Sequence, residues 1–276
     1  MIVTGIRPIA ARAPIRVGGP VAFGRAGLTF GAEATAYLAA MTVTPSDTRR
    51  QQLGALIDGL VADGVWSNLS ALFIEAAHDS QAARVNAVNP ALVAAAVNSP
   101  NFTVDRGYAS DGATSYLNFG WDPSTDGGAL YQQNSCCQGV WSLGASGSAS
   151  LMVGSNTARI NPRNVSNLMS VVAQAGASAT LAISGTPPNG LFAWDRTAAA
   201  AYRFMYNGAA QGSTTTASVP LDTRDFYGNA INNAGTPASH DTRRCAASFW
   251  GASMSDALHL ALYSRLATYL TAIGAI

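Results

Sequence analysis

The stretch NGLFAWDRTAAAAYRFMYNGAAQGSTT, residues 189 to 215, decides whether the second half of the chain is built from helices or strands. Four consecutive alanines at positions 198 to 201 favour a helix, because alanine has the highest intrinsic helix propensity. Aromatic side chains occupy every second position from 202 to 206, which is the period of a strand, and the run stops at a hairpin turn signal, Asn207-Gly208. We therefore predict strand, turn and strand.

Short alternating runs of this kind recur after residue 98, separated by Gly, Ser, Thr and Asn. Many short strands repeated roughly every 8 to 12 residues are typical of an antiparallel sandwich or barrel. The sequence therefore predicts a mainly β domain over residues 98 to 276. Its predicted strands are 102–106, 115–121, 129–133, 139–143, 149–153, 159–161, 168–173, 180–184, 191–195, 202–206, 225–231 and 246–251.

Residues 31 to 97 are predicted to form a mainly helical segment. Thr44 is a candidate N-cap, and a helix from about Pro45 to Ala62 follows with leucines spaced along one face. The apolar stretch 66 to 74 is interpreted as a second short helix packed on the first. At the far end of the β domain, Ser255 can cap a C-terminal helix that packs back onto the domain.

Residues 1 to 30 are rich in Gly, Pro and Arg without a sustained period, and predict an extended attachment arm that needs a partner surface to become ordered. Arginines and prolines interrupt its apolar residues, so it does not have the continuous apolar region of a secretory signal. No run reaches the roughly 18 apolar residues of a membrane span. We expect a protein made in the cytoplasm without a membrane partner.

Charge is scarce in this chain. Charged residues make up 11% of its 276 residues, against roughly 25% in an ordinary soluble domain. The 16 basic residues are all arginine, and the formal net charge is +1. Without a clustered basic patch, the sequence predicts no nucleic-acid partner. Cys136, Cys137 and Cys245 have neither a disulfide nor a metal-ligand spacing and are interpreted as buried thiols.

Three segments of the β region share features with one family. Residues 98–121, NSPNFTVDRGYASDGATSYLNFGW, resemble the first strand segment of concanavalin-like (laminin-G-like) jelly-roll domains in bacteriophage virion and tail-fibre proteins. Residues 202–220, YRFMYNGAAQGSTTTASVP, resemble the segment of those domains in which Asn-Gly leads into a Ser/Thr strand. Residues 247–274 resemble their last strand and closing helix, and residues 37–88 are similar to a helical segment that precedes such domains.

This resemblance implies a fold and a context. The fold is an antiparallel concanavalin-like jelly-roll sandwich that displays loops toward surface polysaccharide or protein receptors. The context is a virion protein of fibre or spike type, held to other virion proteins by its arm and helical segment. A homo-oligomer is expected, and a trimer would suit a fibre or spike. Calcium-binding relatives use acidic and Asn side chains in loops, for which Asp122, Asp126 and Asn134 are the candidates here, although their spacing is not diagnostic.

Carbohydrate binding is the favoured activity, with host surface polysaccharide as the partner. A sugar needs a flat aromatic face together with amides and short acids for its hydroxyls. Aromatic residues near predicted strand ends and loops are Trp121, Tyr131, Trp141, Trp194 and Tyr227. The alternative is that each of them fills the core. The predicted ligand-binding residues are Trp121, Asp126, Tyr131, Asn134, Trp194 and Arg196.

Catalysis is not predicted. Glycanases with this fold place two carboxylates across a groove, whereas most of the 15 acidic residues stand in turn contexts and no strand carries an alternating acidic pair. A Gly-x-Ser-x-Gly nucleophile elbow is also missing from the sequence. We therefore expect no enzyme and no cofactor. The alternatives left open are a head or tail decoration or scaffold protein and, less favoured, a glycan hydrolase.

Overall fold

The computed structural model describes residues 27–144, 149–185 and 189–276. These residues form two antiparallel sheets that face each other, with helices on the outer side of the larger sheet. The predicted mainly β sandwich with preceding helices and a closing C-terminal helix is therefore confirmed. Most of the predicted arm, residues 1–26, lies outside the described residues.

The described elements comprise three α-helices and seventeen strands. Helices α1 to α3 span Ala32–Ala39, Asp47–Ala62 and Asp256–Ala272. In chain order, strands β1 to β17 span Leu69–Phe73, Ala95–Val97, Asn101–Thr103, Gly107–Ala109, Tyr116–Asn118, Cys136–Leu143, Val153–Gly154, Ala158–Asn161, Met169–Ala173, Ala179–Leu181, Asn189–Ala198, Ala201–Tyr206, Ala209–Thr214, Tyr227–Gly228, Ile231–Asn233, Thr236–Ala238 and Cys245–Gly251.

The larger sheet has the strand order β13-β12-β11-β6-β17-β4-β3. Strand β17 is its junction: β6 pairs along one edge, and β1 and β4 share the other. The smaller sheet has the order β10-β9-β8-β7-β14-β5-β2, and β15 with β16 forms a separate hairpin.

The stretch at 189 to 215 forms three strands of the larger sheet, which confirms the predicted hairpin. Trp194 of β11 lies opposite Phe204 of β12, and the alanine run supplies the turn between these strands instead of a helix. Asn207 and Gly208 have φ values of 47° and 78°, the left-handed region that a tight turn between β12 and β13 requires. Side-chain alternation and turn chemistry outweigh alanine propensity here.

The space between the sheets is filled by large apolar side chains. The smaller sheet directs Leu117, Val153, Ile160 and Val171 inward, and all four are buried. On its outer side the larger sheet is covered by α3, where Tyr263 stacks on Trp141 with ring centroids 5.6 Å apart. The central strands of the larger sheet are thus buried on both faces.

Residues 66 to 97 differ from the sequence-based prediction. They do not continue the helical segment: β1 pairs with β17 in the larger sheet, and β2 pairs with β5 in the smaller one. The sandwich therefore begins at Leu69 rather than at residue 98, and the helical segment ends at Ala62. A strand buried on both faces reads as a continuous apolar run, which periodicity alone does not separate from a short helix. The predicted strand 129–133 is also wrong, because these residues form turns.

Serine side chains cap the N-termini of two helices, α2 and α3. Ser46, not Thr44, caps α2, because its side chain accepts a hydrogen bond from the backbone N–H of Arg49 at 3.2 Å. Ser255 caps α3 as predicted, accepting from the N–H of Leu258 at 3.4 Å. Within the described residues, no helix combines the length and apolar character needed to span a membrane.

Replacing Ser255 with alanine is expected to lower the free energy of unfolding by about 1 kcal/mol, because the first turn of α3 loses its side-chain acceptor. Urea unfolding followed by circular dichroism measures this as a lower midpoint with an unchanged slope. Ser264→Ala, a mid-helix serine whose hydroxyl bonds the carbonyl of Leu260, is the matched control. Equal midpoints for the two variants would contradict the capping role.

Candidate functional site

The aromatic residues predicted to bind a ligand lie together in the interior of the sandwich. Trp121, Tyr131 and Trp194 are at most 1% exposed. Trp121 contacts Tyr131 at a ring-centroid distance of 5.3 Å and Trp250 at 5.2 Å. A ring that stacks on a sugar must offer an open face, so the prediction that these three bind a ligand is wrong and they form the core instead.

Arg196 is also fully buried and has a structural role. Its guanidinium donates hydrogen bonds to the carbonyl oxygens of Ala173, Ala198, Ala199 and Thr216, at 2.7 to 3.1 Å. These carbonyls belong to β9, to the end of β11 and the turn that follows it, and to the chain that leaves β13. The predicted ligand role of Arg196 is therefore wrong, because its donors are committed to backbone acceptors.

Asp126 and Asn134 are exposed in the loop between β5 and β6. Asp126 Oδ2 accepts a hydrogen bond from the N–H of Asp122 at 2.8 Å, and Asn134 Oδ1 accepts from the hydroxyl of Ser218 at 2.6 Å. Asp126 thus stabilises its own loop and Asn134 joins that loop to the segment after β13, and neither bond involves the buried aromatic residues. Among the described residues, no group of three or more His, Cys, Asp or Glu side chains is placed to hold a metal ion.

A different set of side chains lies on the outer face of the smaller sheet. Four residues stand in register, one from each of β5, β14, β7 and β8: Asn118, Tyr227, Gly154 and Arg159. Each alternates with an inward, buried neighbour, so the row faces away from the sandwich interior. We name these four residues the outer row. In the described part of the chain the helices pack on the larger sheet, on the opposite side of the molecule.

Aromatic rings border one end of the outer row. Tyr116 is half-buried and packs on Tyr227 with ring centroids 4.5 Å apart, and the ring of His240 lies 6.1 Å from Tyr116. Tyr227 is 7% exposed, so it supports Tyr116, which offers the more open ring. Burial and the neighbouring Tyr116 raise the pKa of Tyr227 to about 12, which keeps its hydroxyl protonated at neutral pH.

Gly154 has no side chain and is itself buried, so the outer row has a gap only between the side chains on either side of it. Tyr227 and Arg159 both pair with it, so they stand two strand spacings apart, or about 10 Å. Gly154 has a φ of 122°, and a Cβ there would lie 1.9 Å from the carbonyl oxygen of Ala158, so a larger residue does not fit this backbone. The gap is therefore fixed by the backbone of β7 and β8.

Polar groups stand on both sides of this gap. Asn118 accepts a hydrogen bond from the N–H of Gly120 at 2.9 Å through its side-chain oxygen, which leaves the amide nitrogen to donate elsewhere. Arg159 is half-buried and donates from Nη1 to the carbonyl oxygen of Asn156 at 2.5 Å. An aromatic ring, an amide donor and a guanidinium close together on one face are the groups that a saccharide requires.

Sequence reasoning named Tyr227 as an aromatic candidate but missed Tyr116, Asn118 and Arg159. A usable signal exists in the local alternation. Tyr116 and Asn118 alternate with the apolar Leu117, and Arg159 stands between Ala158 and Ile160, so a period of two directs the polar residues outward. What the sequence does not contain is the register that aligns β5, β14, β7 and β8.

Comparison with known proteins gives structural similarity without sequence similarity. No family model matches the chain, and no curated protein matches its sequence. A mutant of Trypanosoma rangeli sialidase displaying trans-sialidase activity aligns with a TM-score of 0.56 and 8% identity, over 79% of this chain and 39% of that chain. Trypanosoma rangeli sialidase in complex with 2,3-difluoro-KDN aligns with a TM-score of 0.51 and 8% identity, over 78% and 39%. The binding domain of botulinum neurotoxin serotype D aligns at 0.49 with 9% identity, over 72% and 52%.

The two sialidase alignments concern the fold alone. The chain spans 39% of the length of those sialidases, and 8% identity carries no residue-by-residue correspondence. They do agree with the sandwich described above, which is the fold class expected from the sequence.

The expectation that the chain is not an enzyme requires correction. The matched sialidase structures are structures of enzymes, so this fold occurs in catalytic proteins. The expectation was based on the absence of an alternating acidic pair in the predicted strands. That absence does not exclude catalysis in a chain with this fold. Hydrolysis therefore has to be measured alongside binding.

Proposed function

We propose that this chain binds a host surface glycan through the outer row and its neighbouring rings, as a fibre- or spike-type virion protein of a bacteriophage or phage-like particle. The observation that carries the binding proposal is the row itself. It combines Asn118, Tyr227 and Arg159 around the gap at Gly154 on an outward sheet face.

The chemistry of each group suits a sugar ring. The half-buried ring of Tyr116 offers an apolar surface to the C–H face of a pyranose. The amide of Asn118 and the protonated hydroxyl of Tyr227 can donate to sugar hydroxyls. The strand positions of Tyr227 and Arg159 are about 10 Å apart, so one sugar ring lying over Gly154 would reach both side chains.

The virion context rests on the resemblance of the sequence to phage virion and tail-fibre domains, and the position of the helices is consistent with it. Helix α2 packs on α3 and α1 packs on α2, beyond the larger sheet and on the far side from the outer row. Attachment to other virion proteins through the helical layer would leave the outer row free to face the host. Several copies on one particle would multiply weak individual binding through avidity.

Tyr116→Ala is expected to weaken glycan binding by about tenfold or more, because stacking on a sugar is lost and the support of Tyr227 is reduced. The purified chain is presented on beads, and its binding to host cells is measured before and after removal of their surface polysaccharide. Tyr263→Ala is the matched control, since it removes a half-buried tyrosine from the helical side.

The proposal is supported if binding is lost when the surface polysaccharide is removed and is also lost in Tyr116→Ala, while Tyr263→Ala still binds. Absence of binding to either cell preparation would overturn it and favour the decoration or scaffold role. Sugars released into the supernatant are measured in the same assay, because the fold is shared with sialidases.

A further inference from the structure

Arg159 is a half-buried cation without an acidic partner. Among the described residues, no carboxylate lies within 4.0 Å of its guanidinium, whereas each of six other arginines pairs with an aspartate. Burial lowers the pKa of Arg159, and no acidic neighbour opposes that effect. A partly desolvated positive charge is stabilised by any anion that can reach it. The six paired arginines are Arg49, Arg50, Arg203, Arg224, Arg243 and Arg265.

Two nitrogens of the Arg159 guanidinium, Nε and Nη2, are available to bind a ligand. Nη1 is used by the carbonyl of Asn156, and the described hydrogen bonds leave Nε and Nη2 without an acceptor. Neither nitrogen is among the buried polar atoms that have no partner, so both remain accessible to solvent. Nε and Nη2 form one straight edge of the guanidinium plane, which presents two parallel N–H donors.

We propose that the glycan recognised by the outer row is acidic and that the carboxylate of one of its sugars binds the Nε/Nη2 edge of Arg159. This inference rests on the proposed function, because it specifies the ligand of the same site. The sugar ring would lie over Gly154, with its hydroxyls toward Tyr227 and Asn118. A carboxylate is planar and accepts two parallel hydrogen bonds, so it fits this edge better than a tetrahedral sulfate or phosphate does.

The test compares matched ligands on a glycan array. Oligosaccharides that end in a uronic acid or a sialic acid are presented beside their methyl esters and beside sulfated neutral sugars. The native chain is expected to bind the free acids about tenfold or more tightly than the esters, because charge-assisted bidentate bonds are lost on esterification.

Three variants separate the geometry from the charge. Arg159→Gln is expected to bind acid and ester equally, and Arg159→Lys to lose most of the preference because an ammonium cannot form two parallel bonds. Arg224→Gln removes one positive charge from a side chain that is 47% exposed and does not belong to the row, and is expected to keep the native preference. Circular dichroism confirms that each variant is folded before it is compared.

The outcomes distinguish this inference from the proposed function. Equal binding of acids and esters that is lost in Tyr116→Ala would overturn the acidic-ligand inference while leaving glycan binding intact. Equal binding of sulfated sugars would overturn the choice of a carboxylate. Absence of binding to every sugar by the folded native chain would overturn both proposals.

Discussion

Replacing Arg196 with alanine is expected to lower the free energy of unfolding by about 4 kcal/mol, a large share of the stability of an ordinary domain. Four backbone carbonyls would lose the donor that satisfies them, and a cavity would remain beside the ring of Tyr202, which lies 5.2 Å from the guanidinium. The measurement is urea unfolding, read as the midpoint and slope of the transition.

Two further variants make this result interpretable. Arg224→Ala removes an exposed arginine and is expected to change stability by no more than about 0.5 kcal/mol. Arg196→Lys keeps the charge but has one ammonium for four acceptors. Its free energy of unfolding is therefore expected to lie between those of the native chain and Arg196→Ala. If Arg196→Ala is as stable as Arg224→Ala, the guanidinium does not stabilise the junction of β9, β11 and β13.

Glu75→Gln is expected to raise the stability of the chain by about 3 kcal/mol above pH 7 and to remove a pH dependence. Glu75 is fully buried, with one oxygen accepting from the hydroxyl of Ser248 at 2.7 Å and the other without a partner. Burial raises the pKa of Glu75 to about 7, although the bond from Ser248 acts in the opposite direction. The folded state therefore holds a proton that the unfolded chain releases.

The sign of the pH dependence follows from this raised pKa. The contribution of Glu75 to stability is greatest below the ordinary glutamate pKa of 4.5, is lost as the pH rises to about 7, and then levels off. Unfolding midpoints measured at several pH values give the profile for the native chain and for Glu75→Gln. Glu33→Gln is the matched control, because it removes the other glutamate of the chain. A native chain that gains stability between pH 5 and pH 7, with the gain removed in Glu75→Gln, would contradict the assignment.

The sequence predicted those parts of the fold that have local causes. The hairpin depends on alternation and on Asn207-Gly208, and the start of α3 depends on Ser255, so each could be recognised within a few residues. Strand β1 could not be recognised in that way. Leu69–Phe73 became a strand because β17 pairs with it from a distant part of the chain, and its apolar run has no period of its own.

The candidate site was harder to predict than the fold. Trp194 and Tyr116 are both aromatic residues in strands, and no local pattern says that one is buried on β11 while the other borders an outward row. The difference is that Trp194 faces the interior between the two sheets, whereas Tyr116 lies on the outer face of the smaller sheet, on the opposite side of the molecule from α3. Burial of an aromatic ring thus depends on how the layers stack, which a single sequence does not record.

The pairing of β17 with β1, β4 and β6 also governs when the chain can fold. During synthesis, β1 leaves the ribosome about 170 residues before β17, so its pairing partner is absent for most of translation. The larger sheet cannot close until residue 251 has emerged, and its contacts join parts of the chain that are far apart in sequence. Slow folding follows from this topology, and the apolar β1 strand stays open to mispairing until β17 arrives.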